Sequence, residues 1–374
     1  MSAFRTAIDS RTSQQYATRV AASFFRAVEA RAPHYRAAWS MERVADAGAP
    51  PAWEETELYD IRGKLLFRDQ VMGLQDGGEL RARTAADQQL GAPVWSVGLG
   101  AALDVQGMKK AALKAAPAMK LKPVPGKKSL VCYSYPKLGL LCRDKAGAKV
   151  VLDLGDCSVV PLDAAEGAET AEAVYAWSPF DYVQPGTLPI LREQWSLSST
   201  LAKPFPRAAE GFGAATEAAA RPLKQKTLPL KLHAQETNVY CAVATGQMIL
   251  EYHNFPATQT QIAAAMGTGP SGTTNQGQVQ GYVKISKGKL AATIDDTASF
   301  AEACREIDGR RPCKSGIPGH ARACAGYKIE SASGTRATSW LYIYDPWPPK
   351  KGAIYWENWT AVNHTNYIYV TRLR

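Results

Sequence analysis

Residues 235–254 read Gln-Glu-Thr-Asn-Val-Tyr-Cys-Ala-Val-Ala-Thr-Gly-Gln-Met-Ile-Leu-Glu-Tyr-His-Asn. The mostly apolar middle predicts a helix that begins within a residue or two of Cys241. Thr237 or Asn238 would be its N-cap, and Asn254 with Pro256 its stop. Cys241 then stands in the first turn, where the partial positive charge of uncapped N–H groups favours thiolate over thiol. Gln235, six residues upstream, lies in a polar lead-in, from which its amide could reach over the sulfur and donate to a developing oxyanion. A free cysteine on an apolar helix also serves as a core filler. Read alone, the helix fits both roles.

A thiolate nucleophile needs a base that later returns the proton to the leaving amine, and histidine suits both steps. Of the five histidines, His34 lies far upstream and His233 precedes Gln235. His253 ends the helix, 12 residues and roughly 18 Å from the sulfur. His320 follows Gly316-Ile-Pro-Gly319 and opens a strand whose positions 321, 323 and 325 are alanines. Small residues on one strand face let a helix pack close, bringing strand start to helix start. His364, in Asn363-His-Thr-Asn366, also opens a strand and competes with it. A third group should fix the imidazole tautomer. Asp345, in Trp340-Leu-Tyr-Ile-Tyr-Asp-Pro346, shares a strand face with Leu341 and Ile343 and precedes a proline that ends the ladder. An acid in line with two large apolar residues calls for a partner, although Asp-Pro is also a turn signal.

These residues resemble the papain-like cysteine peptidases, and more closely the bacterial papain-like and AvrRpt2-type branch with Cys, His and Asp. The resemblance covers roughly Leu228 to Arg374. It rests on the six-residue interval from Gln235 to Cys241, on Gly319-His320 before a strand, on Asp345-Pro-Trp347 in place of Asn-x-Trp, and on their order. It implies an α+β catalytic domain of two lobes, one helical and one an antiparallel sheet, with the cleft between them. Cys241 would attack, His320 shuttle the proton, Asp345 orient the imidazole, Gln235 hold the oxyanion and Trp347 shield the histidine. Two positions depart from the family: Ala242 stands where Trp usually follows the cysteine, and Asp345 replaces the commoner Asn.

The 374 residues and 46% hydrophobic content allow two domains with substantial cores. Val20, Phe24, Phe25 and Val28 recur at helical spacing between Gln14 and Arg31. Residues 57–72 read as a hairpin turning at Gly63. Strand-like pieces follow at Ser129–Tyr135, Gly139–Arg143, Ala148–Asp153 and Cys157–Pro161. Residues 1–200 therefore read as a separate α+β domain without a catalytic constellation, and Leu201–Leu230, rich in Ala, Pro, Gly and Lys, as an exposed, cleavable linker. The peptidase-like domain is 231–374. There we expect a helix at Gln259–Met266, a glycine-rich loop at Gly267–Gly277, a strand at Leu290–Ile294 and a helix at Thr297–Asp308. Strands then run at Cys313–Ile317, His320–Ile329, Trp340–Asp345, Gly352–Trp356 and Asn366–Leu373. Leu58-Tyr-Asp-Ile-Arg-Gly-Lys-Leu-Leu-Phe67 weakly resembles the α+β propeptides of secreted bacterial peptidases, which implies a zymogen. A permanent accessory domain fits equally.

The formal charge is +10, spread along the chain. Its densest run, from Met108 to Lys128, alternates lysines with Ala, Leu and Pro rather than stacking aromatics, so a solvated face is expected and no nucleic-acid partner. The glycine-rich loop lacks the Lys-Ser/Thr ending of a phosphate cradle. The seven cysteines show no zinc spacing, and no cofactor or metal is expected. If disulfides form, Cys132 with Cys142 is the best pair. The sequence shows no export signal and no membrane span, leaving the compartment open. The expected partner is a protein or peptide substrate. Hydrolysis, acyl transfer to an amine or thiol at the same site, and a silent peptide-binding module all remain open.

Overall fold

The computed structural model describes residues 7–29, 53–73, 79–99, 103–160, 162, 175–201, 221–331 and 338–373. Among them are seven α-helices: α1 (Ser10–Glu29), α2 (Val105–Ala115), α3 (Leu188–Leu201), α4 (Cys241–Tyr252), α5 (Gln259–Met266), α6 (Asn275–Ile285) and α7 (Phe300–Asp308). His34 lies outside the described residues.

In the first half, Asp60 and Gly63 turn the chain between β1 (Glu54–Tyr59) and β2 (Leu65–Gly73), with Gly63 at φ +84°. There follow β3 (Glu79–Ala85), β4 (Val94–Leu99), β5 (Lys122–Pro123), β6 (Leu130–Ser134), β7 (Lys137–Arg143), β8 (Lys149–Asp153) and β9 (Val159–Val160). The second half adds β10 (Arg221–Thr227), β11 (Leu290–Asp295), β12 (Cys313–Ile317), β13 (His320–Ser331), β14 (Thr338–Asp345), β15 (Ala353–Asn358) and β16 (Asn366–Arg372). The architecture is mixed α and β.

The expected break between domains does not interrupt the sheet. Its strands run β11-β16-β12-β13-β14-β15-β4-β3-β2-β1-β6-β7-β8-β9, and the two halves meet where Trp356 pairs with Val97 and Glu357 with Ser96. One apolar cluster also spans them: Leu58, Phe67 and Leu138 pack together with Ile317, Trp347 and Val362. The stretch expected as a linker differs too. Residues 202–220 lie outside the described residues, while Arg221–Thr227 pair antiparallel with β13. Among the described strands β10 pairs only with β13 and so tolerates Pro222 at its start.

On the far side, α4, α5 and α6 bury Val243, Met248, Ile249, Ile262, Met266 and Tyr282 against Ala323 and Ala325 of β13. The alanines give α4 the close approach that their spacing predicts, placing the start of the helix beside the start of β13. None of the seven cysteines is in a disulfide, Cys132 and Cys142 included. Among the described residues no helix is long and apolar enough to cross a membrane.

Candidate active site

Cys241 is the first residue of α4 and is fully buried. The N-cap is Tyr240 rather than Thr237 or Asn238, and no side chain caps the helix. The two short polar residues end up in the turn before it, where Tyr240 N donates to Thr237 O. Cys241 consequently stands at a helix end whose positive pole no side chain caps. Cys241 forms a small buried cluster with Ala242 and Ala321, the residue after His320. Alanine at 242 suits this seat, since an indole there would displace β13.

His320 and Asp345 come together across adjacent strands. His320 Nε2 and Asp345 Oδ1 are 2.7 Å apart, and both side chains are wholly buried. Asp345 also accepts from Trp347 N at 2.8 Å and from Tyr355 Oη at 2.7 Å. An ionised carboxylate only accepts, so the network assigns the imidazole proton to Nε2. His320 Nδ1 is buried and makes no hydrogen bond among the described residues.

Burial pushes the His320 pKa down to about 4; Lys137 and Arg322 add to the shift, and Asp345 opposes it. Asp345 is held below the usual carboxylate range because His320, Arg322 and Tyr355 together outweigh its burial. At neutral pH the pair is therefore a carboxylate beside a neutral imidazole with its lone pair on Nδ1.

Gln235 is buried, and its backbone is clamped to the Asp345 turn: Gln235 N donates to Pro346 O and Lys350 N to Gln235 O. Its amide does not point at open space. Nε2 donates to Thr237 O at 2.7 Å, while Oε1 has no donor among the described residues.

The competing histidines are placed elsewhere. His364 stacks on Trp359 with an interplanar angle of 12° and lies beside Ser315 and Glu357. His233 pairs with Glu251, and His253 is the C-cap of α4.

Residues of the first half close over this group through contacts that no local pattern encodes. Lys137 Nζ donates to Gly319 O at 2.9 Å and Trp177 Nε1 to Pro318 O at 3.0 Å, gripping the turn that delivers His320. Trp347 Nε1 donates to Asp153 Oδ2 at 3.0 Å, and Tyr133 donates to the same oxygen. Tyr355, which anchors Asp345, carries no local signal of that role in the sequence. Its role depends on β15 folding back on β14, and only the burial of an otherwise ordinary tyrosine hints at it.

Residues 224–372 match the Peptidase_C39 like family. Cys241, His320, Asp345, Gln235 and Trp347 all lie within this match, which supports a cysteine peptidase in general. The AvrRpt2-type branch remains a resemblance of motifs. Among solved structures, the chain is similar to a double glycine motif protease from an AMS/PCAT transporter in complex with the leader peptide. That likeness has 14% identity and a TM-score of 0.30, covering 41% of this chain and 98% of that one. It is also similar to the peptidase domain of Streptococcus ComA, a bi-functional ABC transporter involved in quorum sensing, at 14% identity and TM-score 0.27, over 38% and 98% of the two chains. UfSP from C. elegans gives 15% identity and TM-score 0.31, over 40% of this chain and 34% of that one. No curated protein sequence matches the chain.

Proposed function

We propose that the second half of the chain is a cysteine peptidase acting through Cys241, His320 and Asp345, and that the first half keeps it latent. The observation that carries the reading is the His320–Asp345 bond, which leaves Nδ1 without a hydrogen-bond partner among the described residues, while Ala321, the next residue along, packs on Cys241. In this mechanism Nδ1 takes the thiol proton and the thiolate attacks a peptide carbonyl. The tetrahedral oxyanion is held by the Cys241 N–H and by Gln235 Nε2, once that amide leaves Thr237 O. The imidazolium returns its proton to the leaving amine, and water hydrolyses the thioester. Asp345 keeps the proton on Nε2 and stabilises the charged ring, and Trp347 excludes water.

Latency is supported by burial. All four polar groups of the site are wholly covered, and Lys137, Trp177 and Asp153 tie the cover to the two turns that bear His320 and Trp347. A neutral, buried histidine is a poor partner for a thiolate–imidazolium pair. Admission of water would raise its pKa and arm the site.

The test is alkylation by an epoxysuccinyl inhibitor, located by mass spectrometry, with peptide hydrolysis measured in parallel. It is run on the intact chain and on chain cut at a protease site engineered within 202–220 and freed of its first half. Fast labelling of Cys241 only after release, lost in Cys241→Ala and His320→Ala, is the expected result. Labelling that persists in Cys241→Ala, or a released half that is inert, would sink the peptidase. Equal rates before and after release would sink latency alone.

A further inference from the structure

The face of β2, β3 and β4 and the start of α2 enclose a cavity of about 390 Å³, whose floor is Asp345, Trp347 and Tyr355. It has room for one small organic molecule. Its two arginines are used differently. Arg83 is bidentate on Asp69 and donates to Pro136 O. Arg81, two residues earlier on the same strand face, forms no ion pair among the described residues, and its Nε is buried without an acceptor. Burial lowers the pKa of this guanidinium from its ordinary value. Asp69 and Glu79 offset only part of that shift, and a cation left incompletely compensated is costly in such a place.

The chain makes space for it. Gly98 stands opposite Arg81 in the β3–β4 ladder. A Cβ at Gly98 would lie 3.5 Å from Arg81 Nη2 and 3.3 Å from Tyr355 Cβ. The guanidinium thus extends over a bare glycine towards the tyrosine on the floor. The mouth has the opposite charge, with Glu54 and Asp104 exposed and Glu79 half-buried.

We propose that this cavity binds a zwitterion of amino-acid or dipeptide size, its carboxylate held by Arg81 and its ammonium by the acidic mouth. A planar guanidinium whose Nε lacks an acceptor suits a carboxylate. A polyanion such as phosphate would face Glu54, Glu79 and Asp104 on entry and Asp345 beneath, whereas a simple cation would be repelled by Arg81 and leave it unmatched. Because the site lies behind Asp345 and Tyr355, its occupant would touch the hydrogen bond that holds the carboxylate. The inference does not depend on the peptidase reading, since its test measures binding alone.

Calorimetric titration of the full chain compares glycylglycine with glycylglycinamide, which lacks the carboxylate, and with N-acetylglycylglycine, which lacks the ammonium. Glycylglycine should bind, and the amide should bind about tenfold or more weakly, as should glycylglycine to Arg81→Gln. The acetylated compound should lose several-fold. Equal binding of the three compounds, undiminished affinity in a folded Arg81→Gln, or no heat from glycylglycine up to about 20 mM would each overturn the proposal. Should Arg81→Gln fail to fold, the three compounds on the unaltered chain decide the matter.

Discussion

Tyr355 Oη donates to Asp345 Oδ2 at 2.7 Å, on the oxygen that His320 does not use. The carboxylate thereby takes three hydrogen bonds while wholly buried, and each is short enough to bear part of the cost of burying its charge. Tyr355→Phe keeps the ring and deletes that donor. Urea unfolding should show a loss of about 1–3 kcal/mol, and an unchanged midpoint would mean that Tyr355 only packs.

Lys137 is buried, and its ammonium donates to Gly319 O. Lys137→Met preserves the stem and removes that tie between the cover and the His320 turn. Local opening should become easier by about 1–2 kcal/mol, so Cys241 in the intact chain should be alkylated roughly 5- to 30-fold faster. A rate equal to wild type would show that Lys137 does not hold the cover closed.

Acid should loosen the site. The folded pKa of His320 is about 4 against an ordinary 6.5, so the unfolded chain binds its proton first. The contribution of the neutral histidine is complete above pH 6.5 and is lost as pH falls through 4, up to roughly 3 kcal/mol. Asp345 and Lys137 face the same ring, and His364, also held low by burial, titrates in the same sense. Stability measured from pH 7 to pH 4 in wild type and His320→Gln should therefore converge towards acid. Parallel curves would contradict the assignment.

His364 gives the converse case. It stacks on Trp359 beside Glu357 and has no hydrogen bond to Asp345. His364→Ala should cost about 1–3 kcal/mol of stability by leaving a space next to a buried charge, yet leave the thiol reactivity of the released second half within about twofold. Loss of that reactivity in the folded variant would make His364 the base.

Much of the second half was legible because its signals are local. Cys313–Ile317 is bounded by Pro312 and Pro318 and forms a strand within those limits, and α4 and α5 begin and end near their expected punctuation. The helix Asn275–Ile285 was missed because Gly277 and Gly281 depress helix propensity. Their use is tertiary, since a side chain at either would strike Met266 of α5. The strand in 221–227 was hidden by Pro222 and alternating lysines, which suit an edge. The candidate triad was readable from types and order, but its cover was not. The Lys137–Gly319 contact spans 182 positions, and no periodicity encodes a contact of that range. The sheet is continuous across Trp356 and Val97 for the same reason.

The helix that begins at Cys241 starts on Tyr240, with no side-chain cap. Serine at this position is what a designer seeking a sturdier protein would choose, for a gain of about 1 kcal/mol. That serine oxygen would also accept from the Ala242 or Val243 N–H and so weaken the positive helix end at which Cys241 stands. The tyrosine is thus a place where thermostability and turnover pull apart, and Tyr240→Ser is a substitution that consensus engineering of this chain should leave alone.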